Sequence, residues 1–377
     1  MIISVNILIT GASGFIGKNL KANLCSRGED NLLCFDLPQT EEDLQELVRR
    51  ADLVFHLAGV NRPENESEFQ TGNTALTESL VEMLERENRC IPVVLPSSVQ
   101  AELDNPYGRS KKAAEDIVFE YGCRTGAPVY VYRLSGVFGK WCRPDYNSVV
   151  ATFCHNAARG IALRIDNTET MLTLLYIDDL LSEFNKILEG KVTSQEGSLL
   201  KISQTYKITL GELAEKINSF AKSRSSFTLQ HDMNEPLNRK LYATFISYAD
   251  PYDLAVLADM KTDGRGHFSE LIRSPHFGQI SVSTTKPGIT RGNHWHDTKV
   301  EKFVVVQGEA LIRLRKIGSS EIIRYSVSGG EIQVVDIPPG YTHSIQNTGE
   351  IDVITIFWAG EIFDPGNPDT IFEAVEV

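Results

Sequence analysis

Cysteine is missing from residues 155–377 altogether; the six in the chain, at 25, 34, 90, 123, 142 and 154, all lie in its first 154 residues. None forms a CxxC or comparable pair, so reduced, mostly structural thiols are expected, and the uneven distribution suggests halves of separate history. Positive charge is also scarce. With 37 Lys and Arg against 50 Asp and Glu, the formal net charge is −13, and no basic cluster offsets it locally. Nucleic acid is therefore not an expected partner, although a few local arginines or a helix end suffice for a small anion. No apolar run approaches the roughly 18 residues of a membrane span, so no membrane association is expected. A basic leader and a cleavage site are missing too: MIISVNILITGASG passes straight into a glycine turn and reads as a first strand, which makes the cytoplasm the expected location. Neither an internal repeat nor a low-complexity tract occurs. What remains is 377 residues, 42% hydrophobic and 23% charged, an ordinary soluble composition long enough for two cores.

Short apolar runs alternate with longer segments of helical period through the first half. VNILIT precedes a helix from about Ser13, LLCFD precedes EDLQELV, DLVFHLA precedes TALTESLVEMLE, PVVLPSS precedes a helix from Tyr107, and PVYVYRL follows. This is the pattern of βαβ units, an α/β Rossmann-type doubly wound parallel sheet. Beyond about residue 250 the texture becomes QISVSTT, KFVVVQG, ALIRLRK, EIIRYSV, EIQVVDI and DVITIFW, strands separated by Gly and Pro turns. An all-β barrel or sandwich is expected there. A cut near Ser247 gives domains of residues 1–247 and 248–377.

TGASGFIG sets Gly11, Gly14 and Gly17 three apart between a predicted strand and a predicted helix. A tight turn, a close approach to pyrophosphate and close helix packing each call for a residue without a side chain. Asp36 closes the second strand, where an acid accepts from an adenosine ribose, and no arginine follows it in Leu37-Pro38 to meet a 2′-phosphate. That local reading leans to NADH. In YGRSK, Tyr107 and Lys111 are four apart on a predicted helix and share one face. Tyrosine needs a neighbouring ammonium to stabilise its phenolate, and Lys111 can supply one. Ser98, at the end of a strand, can hydrogen-bond the carbonyl oxygen that Tyr107 protonates.

Together these features resemble the extended short-chain dehydrogenase/reductases that act on nucleotide sugars, over roughly residues 4–245. The resemblance makes Ser98, Tyr107 and Lys111 the catalytic trio. It also implies cofactor contacts from Gly11, Gly14, Phe15, Ile16 and Gly17, from Asp36, and from Leu57, Ala58 and Gly59 of HLAG, and a substrate-side role for Asn73. Where many relatives read RxxNVYG this chain reads RLSGVFG, with Gly136 at the Asn position, which leaves that loop's substrate contacts open. KWCRPDYNSVV follows it and could bring Arg143 and Asn147 to a diphosphate, or be surface loop.

In the second half, Gly288, His294, His296, Glu301 and Gly308 fit G-x5-HxH-x4-E-x6-G, and Pro338, Gly340, His343 and Asn347 fit PxG-x2-H-x3-N. These spacings resemble the two cupin motifs, whose imidazoles and carboxylate form an open site for a divalent metal inside a β-barrel. On a strand, His294 and His296 point to one face. DGRGHFSE, RGNH and PPGYTH also resemble the metal-free dTDP-sugar 3,5-epimerases. That likeness implies nucleotide contacts from Arg265, Phe268 and Glu270, and makes His294 a base. One lone pair cannot serve both roles, and the added His296 and Glu301 favour metal.

The order of the halves, with NPYGRSK, FGKWCRPDYNSV, KPGITRGNHWH, IPPGYTH and FDPGNPDTIFE, resembles the bifunctional capsule and O-antigen enzymes of the CapF/WbjC type. The family likeness implies a homodimer with zinc and NADPH. It implies epimerisation at carbon 3 of UDP-2-acetamido-2,6-dideoxy-L-arabino-4-hexulose in the cupin domain, then reduction at carbon 4. The product would be UDP-2-acetamido-2,6-dideoxy-L-talose, a precursor of UDP-N-acetyl-L-fucosamine. Chemistry sets the order, since the carbon-3 proton is acidic only beside the ketone. In a second reading the cupin is a binding or dimerisation module and reduction is the only catalysed step; DGRGHFSE counts against it.

Overall fold

The computed structural model describes residues 5–29, 31–193 and 197–376. Two compact units divide the chain, Met1–Ile217 with Arg239–Ala249, and Asn218–Asn238 with Asp250–Val377.

In the first unit, β1 (Ile7–Thr10) is buried along its whole length. It lies inside a six-stranded sheet with β2 (Leu32–Phe35), β3 (Leu53–His56), β4 (Val93–Ser98), β5 (Val129–Leu134) and, after β6 (Gly136–Phe138) and β7 (Met171–Tyr176), β8 (Leu199–Leu200). The order is β2-β1-β3-β4-β5-β8, and every neighbouring pair is parallel. A small second sheet joins β6, β7 and β9 (Tyr206–Thr209). Alternation along each strand builds a core on both faces. Leu8, Val54 and Val93 pack with Leu80, Leu84 and Val118, whereas Ile7, Ile9 and Phe55 pack with Leu20, Leu24 and Phe184. The first set belongs with α4 (Leu76–Arg86) and α5 (Pro106–Thr125), the second with α1 (Phe15–Ser26) and α7 (Ile177–Leu188). Of the remaining helices, α2 (Glu41–Arg50) is held at its start by a Thr40–Asp43 capping box, and α3 (Ser67–Phe69) runs through a π-turn, Gln70–Ala75, into α4. The expected doubly wound sheet is present.

Helix α6 (Val149–Ala158) follows the KWCRPDYNSVV loop, and α8 (Leu210–Ser226) and α9 (Pro236–Ile246) precede the second unit's strands. Asn218–Asn238 belongs to that unit through bonds such as Leu229 N–H to the Arg273 carbonyl (2.9 Å) and Arg273 Nε to Thr228 Oγ1 (2.7 Å).

From Met260 onward the second unit is built of strands. Its strands are β10 (Met260–Asp263), β11 (Gly266–Ser274), β12 (Gly278–Thr285), β13 (Thr290–Trp295), β14 (Glu301–Gln307), β15 (Glu309–Lys316), β16 (Ile322–Ser328), β17 (Val334–Ile337), β18 (Tyr341–Asn347), β19 (Val353–Ala359) and β20 (Ile371–Phe372). They form two antiparallel sheets, β10-β11-β12-β19-β14-β17 and β16-β15-β18-β13-β20. Phe303, Val305, Ile312, Leu314, Ile337, Ile345 and Val353 fill the core as a cupin-like barrel requires. Strand β13 is irregular: Gly292 has φ 95° and Asn293 φ 60°, and its register against β18 shifts between Gly292 and His294. This bulge re-aims His294, which pairs directly with His343.

Candidate active sites

The three glycines of the first turn are needed for different reasons. A Cβ on Gly11, whose φ is 71°, would lie 2.7 Å from Ala58 N, and one on Gly17 would lie 2.2 Å from the Gly11 carbonyl oxygen. Both positions are closed by the protein's own backbone. At Gly14 a Cβ would meet only the Gly11 oxygen, at 3.1 Å, and nothing else within 4 Å. Gly14 is the N-cap of α1, and no side chain caps that helix. Its first N–H groups and the positive end of the helix dipole thus face open space, as a pyrophosphate requires. Phe15, Ile16 and Leu57 pack against the core beneath, and Ala58 N–H donates to Thr10 Oγ1. Asp36 turns toward the loop: its two oxygens accept from Ser13 N–H at 2.9 and 3.1 Å and from Ser13 Oγ at 2.8 Å.

Helix α5 begins at Pro106 because Asn105 caps it, accepting from Gly108 N–H at 2.8 Å, and Tyr107 falls in its first turn. The Tyr107 hydroxyl donates to Asn61 Oδ1 at 2.8 Å and is hydrogen-bonded with Ser98. Burial pushes the phenol pKa up, Ser98 opposes this, and nearby Tyr146 adds to the rise. Lys111 lies beside the ring, its Nζ 5.9 Å from the ring centre, and a Cβ on Gly59 would come within 3.1 Å of that nitrogen. Burial lowers its pKa to about 8 against the opposing charge of Glu115. Tyr107 stands as a protonated donor, with an ammonium close to the phenolate it would leave.

Asn73 is buried and hydrogen-bonded within the protein. Only 3% exposed, it accepts from Val60 N–H at 2.8 Å and donates to the Val60 carbonyl and Ser110 Oγ, both at 3.0 Å. It anchors the loop after β3 to α5. Arg143 and Asn147 are exposed, and the Arg143 guanidinium stacks over Tyr146, 5.2 Å from the ring centre. Gly136 is an exposed residue at the start of β6.

Three residues of this site carry no motif of their own. Asn61 holds the Tyr107 hydroxyl, Tyr146 lies near it, and Glu115 is wholly buried beneath Lys111. Glu115 accepts from Ser97 Oγ at 2.6 Å and from Arg133 Nε and Nη2 at 2.9 and 2.7 Å, which ties α5 to β4 and β5. Its spacing of four from Lys111 is the one signal the sequence offers for it.

In the second unit, His294, His296, Glu301 and His343 converge, one ligand atom of each lying within 4.8 Å of the others. The ring nitrogens are sorted by backbone carbonyls, which can only accept. His296 Nδ1 donates to the Asp369 carbonyl, His343 Nδ1 faces the Tyr341 carbonyl at 3.4 Å, and His294 is hydrogen-bonded with the Gly292 backbone. The opposite nitrogens, Nε2 of His296 and of His343, are buried and have no hydrogen-bond partner. Glu301 Oε2 lies 3.2 and 3.5 Å from them. Burial and the two neighbouring rings bring His294 down to about 4, so it is neutral at pH 7 and a weak base. Three imidazoles and one carboxylate converging at these distances, with two buried ring nitrogens that no hydrogen bond uses, fit a divalent metal such as zinc.

Beside this cluster lies a cavity of about 290 Å³ that also takes in Arg265, Phe268, Arg291, Phe303 and Phe357. Arg291 donates to Thr285 Oγ1 and the Thr284 carbonyl; its pKa is lowered by burial and by the charge of Arg265. Two guanidinium groups so close make one end attractive to a diphosphate. Arg265 is partly tied to Asp263, and Glu270 lines an adjoining cavity of about 310 Å³ that shares Phe268, His294 and Glu301. Ser281 and Ser283, each 2% exposed with an unpartnered hydroxyl, also line the first cavity. Their alternate spacing on β12 puts them on one face, but only the barrel shows which face is inside.

Comparison with known proteins agrees with both halves. Residues 7–202 match the NAD dependent epimerase/dehydratase family, and residues 261–371 match the polysaccharide biosynthesis C-terminal domain. The UDP-2-acetamido-2,6-beta-L-arabino-hexul-4-ose reductase of Pseudomonas aeruginosa is 43% identical, over 97% of this chain and 98% of its own length. The crystal structure of the capsular polysaccharide assembling protein CapF from Staphylococcus aureus superposes with a TM-score of 0.91 at 44% identity, covering 98% of this chain and all of that one. WbmF of Bordetella bronchiseptica, solved with NAD+, shares the fold at a TM-score of 0.53 and 19% identity, over 65% of this chain and 92% of its own.

Proposed function

Because the chain belongs to the NAD dependent epimerase/dehydratase family, and within it to the two-domain CapF-like nucleotide-sugar reductases, we propose that it is a bifunctional UDP-sugar enzyme. Its cupin unit epimerises carbon 3 of UDP-2-acetamido-2,6-dideoxy-L-arabino-4-hexulose, and its first unit then reduces carbon 4 to the L-talose product, for capsule or O-antigen synthesis. The observation that carries the two-step reading is the cavity holding an arginine pair and the His294–Glu301 cluster together. A module that only bound or dimerised would have no use for both.

In this reading Arg265 and Arg291 hold the diphosphate, while Phe303 and Phe357 line the cavity beside the reacting ring and keep water out. His294, His296, Glu301 and His343 would hold zinc, whose charge can stabilise an enolate oxygen beside carbon 3. In the reductase unit the nicotinamide coenzyme supplies the hydride. Ser98 orients the carbon-4 oxygen, Tyr107 passes its hydroxyl proton to that oxygen as it becomes an alkoxide, and Lys111 stabilises the resulting phenolate. Arg143 and Asn147 are the proposed diphosphate contacts of this unit. The chain is proposed to act as a homodimer, to be checked by sedimentation, and to reside in the cytoplasm. Among the described residues no helix is long and apolar enough to cross a membrane.

NADPH is the proposed coenzyme. The Asp36 carboxylate is directed to Ser13 rather than outward to a ribose, which weakens the local case for NADH. The kcat/KM for NADPH is expected to exceed that for NADH by at least about tenfold, a difference of roughly 1.4 kcal/mol in transition-state binding; a ratio below one would reverse the assignment.

The two-step reading is tested by incubating the full chain with the 4-keto sugar in deuterated water, without coenzyme, and following carbon 3 by NMR. Deuterium is expected at that carbon. Its absence, while added NADPH is still oxidised, would leave reduction as the single catalysed step.

A further inference from the structure

We infer that the C-terminal segment from Asp369 to Val375 is a positioning strap for the histidine cluster, holding His296 through Asp369 and the strand before His294 through Asn293. The inference rests on the metal-binding reading above.

The carboxylate of Asp369 closes the loop between two of the ligands. Its Oδ1 accepts from Asp297 N–H at 2.7 Å, and its Oδ2 accepts from Thr298 N–H at 2.9 Å, Thr298 Oγ1 at 3.2 Å and Lys299 N–H at 2.8 Å. These three consecutive residues start immediately after His296 and end two before Glu301. A carboxylate accepting from three backbone N–H groups makes strong, charge-assisted bonds. So fixed, Asp369 presents its own carbonyl to His296 Nδ1. The proton must then sit on Nδ1, and the Nε2 lone pair turns to the cluster centre, where it has no protein partner.

The strap continues along the bulged strand. Ile371 and Phe372 pair with Trp295 and His294. Glu373 N–H donates to the Asn293 carbonyl at 3.0 Å, and Val375 N–H to Asn293 Oδ1 at 3.2 Å. Asn293 is the residue held at φ 60°, a conformation that needs such outside support in a non-glycine residue. The far end is anchored by buried Arg315, which donates to the Val375 and Ala374 carbonyls at 2.9 and 2.8 Å and to Glu373 Oε1 at 2.8 Å. Thr342, next to His343, donates to the Glu373 carbonyl. The strap thus bonds at or beside each of the three imidazoles.

The test uses the full chain and zinc ion, with chelator competition at a temperature where thermal unfolding shows every variant folded. Asp369→Asn is expected to raise the zinc dissociation constant about 10- to 100-fold. Asp364→Asn, five residues upstream of the strap, neutralises a carboxylate that accepts from Gly366 N–H, a bond the amide oxygen can keep, and is expected to leave it unchanged. A second readout needs no metal: in zinc-free protein the His296 Nδ1–H should exchange slowly with solvent, and fast after Asp369→Asn. Unaltered affinity and unaltered exchange in Asp369→Asn, or an equal loss in Asp364→Asn, would overturn the inference. Should Asp369→Asn not fold, Thr298→Val removes a single bond of the clamp and should move both readouts in the same direction by a smaller factor; no movement overturns it equally. If the wild-type chain holds no zinc, the metal reading fails, and the exchange of Nδ1–H still decides whether Asp369 holds His296.

Discussion

Tyr107→Phe is expected to lower NADPH-dependent reduction by about 10²- to 10⁴-fold, the range for removing a positioned general acid, while leaving deuterium exchange at carbon 3 at its wild-type rate. The substitution deletes one oxygen from a half-buried ring that packs 5.5 Å from Phe69, so the fold has little reason to change. Its chemical effect is expected to be large because Tyr107 is the proposed proton donor at carbon 4, with Ser98 as a hydrogen-bonding group and Lys111 beside the ring. Loss of both activities together would contradict separate sites. The pH profile carries a second signature. Lys111 is charged below its lowered pKa of about 8 and neutral above it. Stabilisation of the phenolate is therefore present at neutral pH and lost as pH rises, and reduction should fall on an alkaline limb near pH 8. A profile flat to about pH 9.5 would show that the lysine's charge does not act at this step.

His343→Ala is expected to reduce bound zinc from about one ion per chain to a small fraction and to abolish carbon-3 exchange, with reduction of an already epimerised substrate retained. His343 is completely buried, and its ring contacts His294, His296 and Phe303 with centroids 4.5, 5.3 and 5.5 Å apart. Its removal opens a void and deletes one of the four groups that converge on the site. Metal analysis of wild-type protein purified without chelators is the companion measurement. A chain with full exchange activity and no metal would return His294 to the role of base, despite a pKa of about 4 that makes it a weak one.

The features legible in the amino-acid sequence are those written in local patterns. The alternation of strands and helices to Leu134 follows from side-chain period, as do six strands of the second unit. Strands β13 and β18 are legible only as motifs, because TRGNHW carries Gly292 and Asn293 at positive φ and has no clean alternation. The strap is not legible at all. Asp369 stands 73 residues from His296, in a Pro- and Gly-rich stretch that reads as ordinary turn. Nor does any pattern announce that Asn218–Asn238 joins the second unit, since its contacts are with strands formed later in the chain.

At Asn73 the sequence places the side chain along its element, and the fold supplies its partners. Its position in the helix after HLAG matches a family pattern, and in the fold its amide also bonds Val60 and Ser110. Family spacing identifies where a side chain sits along an element; the hydrogen bonds already made decide whether it has any capacity left for a ligand.

By itself, then, the sequence determined the two fold classes, the order of the halves and the residue types of both sites, because glycine spacing, helical i,i+4 pairing and strand alternation are set within a few residues. Tertiary structure alone decided which of those residues meet, which are already satisfied and which lone pairs stay free. Tautomer, protonation and convergence depend on burial and on partners tens of residues away, such as Asp369 for His296 and Asn61 for Tyr107, and no local pattern encodes them.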